Sequence, residues 1–136
     1  DIRLQQLMEL RRRLQERYSS LESPLTRTTP EDEFIVRVRS GILENIDDEN
    51  FGIHELCRTI GMSRAQLHRK LKALTGRSAS HYIRSIRLHQ SKTILLNTNL
   101  NIAQVAFEVG FNDPKYFSRM FNEEFGQTPK AFRNDH

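Results

Sequence analysis

The sequence repeats itself. Ile53, Leu56, Ile60, Gly61 and Met62 return 49 residues later as Ile102, Val105, Val109, Gly110 and Phe111. After a one-residue insertion near Asp113, Leu67, Arg69, Leu71 and Gly76 return 50 residues later as Phe117, Arg119, Phe121 and Gly126. Each copy reads as a short helix, a glycine turn, a capped second helix and a closing glycine. One such pattern constrains little, because any two packed helices joined at a glycine look alike. Two matched copies constrain far more, since duplication preserves a geometry. The layout is that of a helix-turn-helix, whose second helix can lie in a DNA major groove.

The residues around the repeat are also helical. Thr29-Pro30-Glu31-Asp32 supplies a capping hydroxyl, a proline at the first helical position and acids in the first turn. It predicts a helix to about Ile46 with Ile35, Val38, Ile42 and Ile46 inward. Ser63 and Gln66 form a capping box for a helix carrying Leu67, Leu71 and Leu74 inward. Ser78 caps a longer helix from about Ala79 to Leu96, roughly 27 Å long, with Tyr82, Ile83, Ile86, Ile94 and Leu95 on its buried faces. Asn101 caps the helix from Ile102 to Val109, and Asp113-Pro114 opens one with Phe117, Phe121 and Phe125 inward. Thr128-Pro129 opens a last short helix holding Phe132. No stretch alternates as a strand does. The expected fold is all-α: two homeodomain-like helix-turn-helix subdomains, 29–76 and 100–136, joined by a linker helix over 77–99 and preceded by a connector helix over 1–28.

In the connector, Leu7, Leu14 and Leu21 recur at a spacing of seven, with Leu4, Arg11 and Tyr18 at the other seam position. A homodimer through Leu7, Leu14 and Leu21 competes evenly with a plain connector helix or one packed on an upstream domain, the seam arginine counting against pairing. The chain opens at Asp1 without a methionine, is expected to start inside a helix, and is read as part of a longer protein.

Charge is distributed unevenly. Residues 1–30 carry a net +2, 31–52 carry −5, 53–101 carry +8 and 102–136 carry −1. A positive field confined to one segment suits a polyanionic partner, nucleic acid foremost, and competes with a merely solvated basic face. No run approaches the ~18 apolar residues of a membrane span, so no membrane contact is expected from this segment. The single cysteine, Cys57, excludes an internal disulfide framework and fits a reducing, cytoplasmic setting. A membrane anchor elsewhere in a longer protein stays compatible with that reading.

With Leu67, Leu71 and Leu74 inward, Ala65, His68, Arg69 and Lys72 form one outward stripe. Lys115, Ser118, Arg119 and Asn122 form its counterpart. Arginine can fork onto a guanine edge, and histidine or lysine can donate to purine acceptors. A helix of roughly 27 Å between the two could hold them about one DNA turn, near 34 Å, apart. Arg64, Lys72, Arg77 and Arg84 are the expected phosphate contacts, together with helix N-termini.

The run from Gly110-Phe111-Asn112-Asp113-Pro114-Lys115-Tyr116-Phe117-Ser118-Arg119 through Phe121, Phe125-Gly126, Thr128-Pro129 and Phe132-Arg133 resembles the C-terminal signature of AraC/XylS-type transcription regulators. Met62-Ser63-Arg64, Leu67, Arg69, Leu71 and Thr75-Gly76 are similar to that family's first helix-turn-helix, so the resemblance covers about residues 32–133. It implies two helix-turn-helix units that bind promoter DNA and often bend it. It also implies base contacts at Ala65, His68 and Arg69, then at Pro114, Lys115, Ser118 and Arg119. Ala79 stands where many members have proline, and Ala65 can offer only a thymine-methyl contact. Glu9-Leu10-Arg11-Arg12-Arg13-Leu14-Gln15-Glu16-Arg17-Tyr18 resembles the link between receiver and output domains of hybrid two-component regulators. That resemblance implies a response-regulator phosphorelay in which an upstream aspartate controls pairing of output domains.

Other chemistries find no support. His54 and Cys57 lie three apart but lack a second pair for a metal, so Cys57 reads as a buried thiol. His54-Glu55 lacks the second histidine of a zinc-protease motif, and no phosphate loop, nucleophile elbow or carboxylate pair is present. The expectation is a non-enzymatic transcription regulator without cofactors, with activator as the working reading and repression left open. Double-stranded DNA is its partner and RNA polymerase a further candidate. The competing reading is a helical protein-interaction module using the basic face.

Overall fold

The computed structural model describes residues 5–12 and 29–136, and every regular element among them is a helix. These are α1 (residues 5–12), α2 (Pro30–Glu44), α3 (Ile53–Ile60), α4 (Arg64–Thr75), α5 (Ala79–Asn97), α6 (Ile102–Glu108), α7 (Pro114–Phe125) and α8 (Pro129–Asp135). Local capping chemistry sets their starts. Thr29 and Asp32, Ser63 and Gln66, and Asn101 and Gln104 each satisfy the other's free N–H, and Ser78 and Thr128 cap α5 and α8. Gly76 and Gly126 close α4 and α7 in the left-handed region, where a side chain would be strained.

The long helix α5 is the axis. Helices α2 and α4 pack against it with α3 between them, while α6, α7 and α8 pack against it from the other copy of the repeat. The sequence predicts a rod with separate buried faces, but α5 is buried almost all round, including the polar Ser85, Arg87, Gln90 and Ser91. Tyr82 is only half-buried. In the second copy the core is aromatic: Phe117 and Phe121 are fully buried, and Phe121 meets Phe125 at 4.6 Å and Phe132 at 5.8 Å between ring centres.

Three expectations need correction. Leu74 is 43% exposed rather than inward. It lies two turns beyond the fully buried Leu67 and within about 20° of the same direction, so the difference is axial: the last turn of α4 runs past its cover. On α2, Phe34 is buried while Ile35 only packs at the margin of the core. Leu7 and Leu10 of α1 are buried in the chain's own core. Leu7 is thus taken from the seam of the expected homodimer by nearer apolar surface. Leu14 and Leu21 lie outside the described residues.

Arg11 explains how α1 is held. Its Nη2 donates to Glu108 on α6 at 2.6 Å and to Asp47, between α2 and α3, at 3.3 Å. One guanidinium from the connector therefore reaches both the α2–α3 loop and the second copy of the repeat.

Candidate nucleic-acid interface

Helices α4 and α7 carry the two predicted stripes. On α4, Ala65, His68, Arg69 and Lys72 are all exposed, with Leu67 and Leu71 fully buried behind them. On α7, Lys115, Arg119 and Asn122 are exposed, while Pro114 and Ser118 are half-buried near the turn. Each stripe is thus assembled on one helix, and both helices rest on α5. The Nε of Arg69 donates to the Ala65 carbonyl at 3.4 Å, and Lys72 Nζ donates to the Gly76 carbonyl at 3.0 Å. The Arg119 guanidinium lies 5.4 Å from the centre of the Tyr116 ring.

The starts of these helices are set differently. The Ser63 hydroxyl accepts from the Gln66 N–H at 3.2 Å, and the Gln66 side chain accepts from the Ser63 N–H at 3.1 Å. Before α7 the Asp113 carboxylate accepts from the Lys115 N–H at 2.9 Å, with Pro114 at the first helical position. Among the expected phosphate contacts, Arg64 and Lys72 are exposed and Arg84 is half-buried.

Arg77 departs from its expected role. Its Nη1 donates to Glu124 of α7 at 2.8 Å and to the Ser85 hydroxyl at 2.7 Å. The guanidinium is drawn inward because Glu124 is a nearby, largely covered carboxylate, and the resulting pair fastens the end of α4 to the end of α7. Sequence reasoning missed this pair because its members are 47 residues apart.

His81 and His89 complete that cluster, with Nε2 atoms 3.9 and 3.8 Å from the Glu124 oxygens. Burial would raise the Glu124 carboxyl, but hydrogen bonds from Arg77 and Ser85 and the Arg77 charge leave it below the usual carboxylate range. Burial pushes both imidazoles below their usual range; Arg77 and Arg84 add to this at His81, and Lys92 at His89, against the opposing pull of Glu124. For all three groups the unfolded chain takes up protons more readily than the folded one. Their stabilisation is therefore complete above the usual imidazole range and is lost on acidification, first through the histidines and then through Glu124. Thermal unfolding is expected at a lower temperature near pH 5 than near pH 7, with a smaller difference in His81→Gln/His89→Gln. Equal pH dependence in the two proteins would contradict this account.

A second positioning residue lies deeper. Arg87 of α5 is 6% exposed and donates through Nη1 to the carbonyls of Ile46 (2.6 Å) and Val109 (2.8 Å). Through Nη2 it donates to Asp48 (3.1 Å) and Phe51 (2.8 Å). Burial disfavours its charge, while Asp48 and Asp47 oppose that effect. Ile46, Asp48 and Phe51 lie between α2 and α3, and Val109 ends α6, so this one side chain ties the α2–α3 loop and the end of α6 to the axis. Its signal was present in the sequence: an arginine on the inward stripe of Ile83, Ile86, Ile94 and Leu95. Arg133 acts similarly, donating to the Leu95 carbonyl in the last turn of α5 and to the Thr98 and Leu100 carbonyls just beyond it.

Cys57 is buried and unbonded, and no group of three or more metal-ligating side chains occurs among the described residues. Nor is any helix among them long and apolar enough to cross a membrane.

Comparison with known proteins agrees with this geometry. The profile of a helix-turn-helix domain family matches residues 56–135. Histidine kinase P4 of Formosa agariphila is 29% identical over 98% of this chain, a stretch that is 10% of the kinase. The C-terminal domain of AraT, a response regulator from Geobacillus stearothermophilus, has a TM-score of 0.69 and 26% identity, covering 82% of this chain and 89% of that one. The DNA-binding domain of AdpA, a global transcriptional factor solved with a target DNA, has a TM-score of 0.67 and 25% identity, covering 79% and 93%. The chain spans 31% and 34% of two transcriptional activators that it also matches.

Proposed function

Because this chain belongs to the AraC-type family of helix-turn-helix DNA-binding domains, we propose that it reads duplex DNA with α4 and α7 in successive major grooves. The chain is the DNA-binding part of a transcription regulator, so the protein-docking reading of its basic face is not favoured. Ala65, His68 and Arg69 on α4, and Pro114, Lys115, Ser118 and Arg119 on α7, are the proposed base contacts. Arg64, Lys72 and Arg84 anchor phosphates, and Arg77 instead braces the two reading helices. The observation that carries this reading is the exposure of one polar stripe on each of two duplicated helices, both mounted on α5.

In functional terms 29–76 and 100–136 act as two reading units, 77–99 as their shared axis and 1–28 as the link to a signalling region upstream. The histidine kinase and response-regulator relatives support that last assignment. Pairing of two chains and contact with RNA polymerase are further proposals.

Arg119 provides the test. Arg119→Ala is expected to cost about 1–3 kcal/mol on a duplex selected by this chain from a random pool, and to relax preference at one base pair. Competition binding against single-base variants reads both effects. Equal losses on the selected and a scrambled duplex would reduce Arg119 to a phosphate anchor and remove α7 as a reader of sequence.

A further inference from the structure

The two copies of the repeat treat their arginines differently. The register that places Arg69 on Arg119 also places Gln66 on Tyr116. In the first copy Gln66 is engaged in the capping box, and Arg69 lies back along its own helix with Nε 3.4 Å from the Ala65 carbonyl. In the second copy Asp113 does the capping, which leaves the side chain at 116 free for another use. It is an aromatic ring with the Arg119 guanidinium over it at 5.4 Å.

That ring is itself held. Tyr116 meets Phe111 edge to face at 5.9 Å and 65°, and Phe111 meets the fully buried Phe117 at 5.2 Å and 62°. A row of rings thus runs from the core to the surface and ends beneath Arg119. A cation held over a ring is attracted by the ring's quadrupole and not through hydrogen bonds, so its N–H donors stay available. Those donors are what a fork onto a guanine edge needs. An arginine already held loses less rotamer freedom when it docks.

We propose that Tyr116 is a positioning residue that holds Arg119 ready for base reading, so that the second reading helix is set in advance where the first is not. The inference rests on Arg119 being a base contact. The test uses the full chain, the duplex it selects from a random pool, and the same duplex changed at the base pair where Arg119→Ala loses its preference. Tyr116→Leu is expected to shrink the discrimination between these duplexes about two- to fivefold. The dependence of affinity on salt should stay as it was, because no phosphate contact is removed. Tyr116→Phe keeps the ring and should keep the discrimination. In an Arg119→Ala background, Tyr116→Leu should change nothing further.

An equal loss on both duplexes, or the same loss without Arg119, would overturn the proposal and make Tyr116 a packing residue only. If Tyr116→Leu does not fold, Tyr116→Gln carries the first copy's residue into the second and is read by the same criteria. Should Arg119→Ala itself leave base preference intact, the reading of the α7 stripe fails. Should Arg119→Ala relax preference while Tyr116→Leu and Tyr116→Gln do not, the stacking proposal alone fails.

Discussion

Arg87→Ala is expected to lower unfolding free energy by about 3–5 kcal/mol, because it strips several covered main-chain acceptors of their donor at once. Four carbonyls, those of Ile46, Asp48, Phe51 and Val109, would lose their shared donor in a place that α5 and its neighbours cover. The Asp48 carbonyl still accepts from the Phe51 N–H at 3.1 Å. Each of the other buried acceptors costs about 1–3 kcal/mol if left unsatisfied, and the losses do not add because water can enter the vacated space. Against a typical domain stability of about 5–15 kcal/mol, the loss is a large fraction. Urea titration followed by far-ultraviolet circular dichroism measures it. Arg87→Lys recovers only part, since an ammonium cannot span two pairs of carbonyls as a planar guanidinium does. A midpoint within experimental error of the parent protein would show that the clamp contributes nothing net.

Gly110→Ala should cost about as much, and for a reason its counterpart in the first copy does not share. Both turn glycines are left-handed, Gly61 at φ 78° and Gly110 at φ 87°. A Cβ at Gly61 would meet nothing within 4 Å, so Gly61→Ala bears only the backbone penalty of about 1–2 kcal/mol. A Cβ at Gly110 would fall 1.5 Å from Arg87 Nη1 and 2.6 Å from the Ile46 carbonyl oxygen. The substitution adds displacement of the buried guanidinium to the strain, for a total of about 4 kcal/mol or more. The double variant Gly110→Ala/Arg87→Ala should then lose clearly less than the two single losses together. Equal destabilisation by Gly61→Ala and Gly110→Ala would refute this account of the turn.

Features governed by neighbours a few residues away were legible in the sequence. The capping pairs Thr29–Asp32, Ser63–Gln66 and Asn101–Gln104 declare helix starts because their hydrogen bonds close within one turn. The exposed stripes followed from which leucines and phenylalanines faced inward, and the duplication fixed their register. Features that depend on distant partners stayed hidden. Arg77 looked like a free cation because Glu124 is 47 residues away, and Leu74 looked buried because periodicity gives direction but not axial cover. Leu7 kept the spacing of a dimer seam although its partners are in its own chain. Arg87 was the instructive miss: a charge among inward residues signals a polar partner inside, and here the partners were main-chain oxygens that no side-chain pattern records.

That last point bears on how this protein can change over time. The Arg87 clamp grips peptide oxygens, which every residue supplies, and makes no hydrogen bond to the side chains at 46, 48, 51 or 109. Asp48 also steadies the Arg87 charge. Changes at the apolar positions 46, 51 and 109 that preserve their packing can proceed without disturbing the grip, provided the main-chain path is kept. Arg87 and Gly110, which shape that path, have no comparable freedom. Under the proposed function, divergence in target preference would accumulate on the outer faces of α4 and α7 while the main-chain frame around Arg87 is inherited intact.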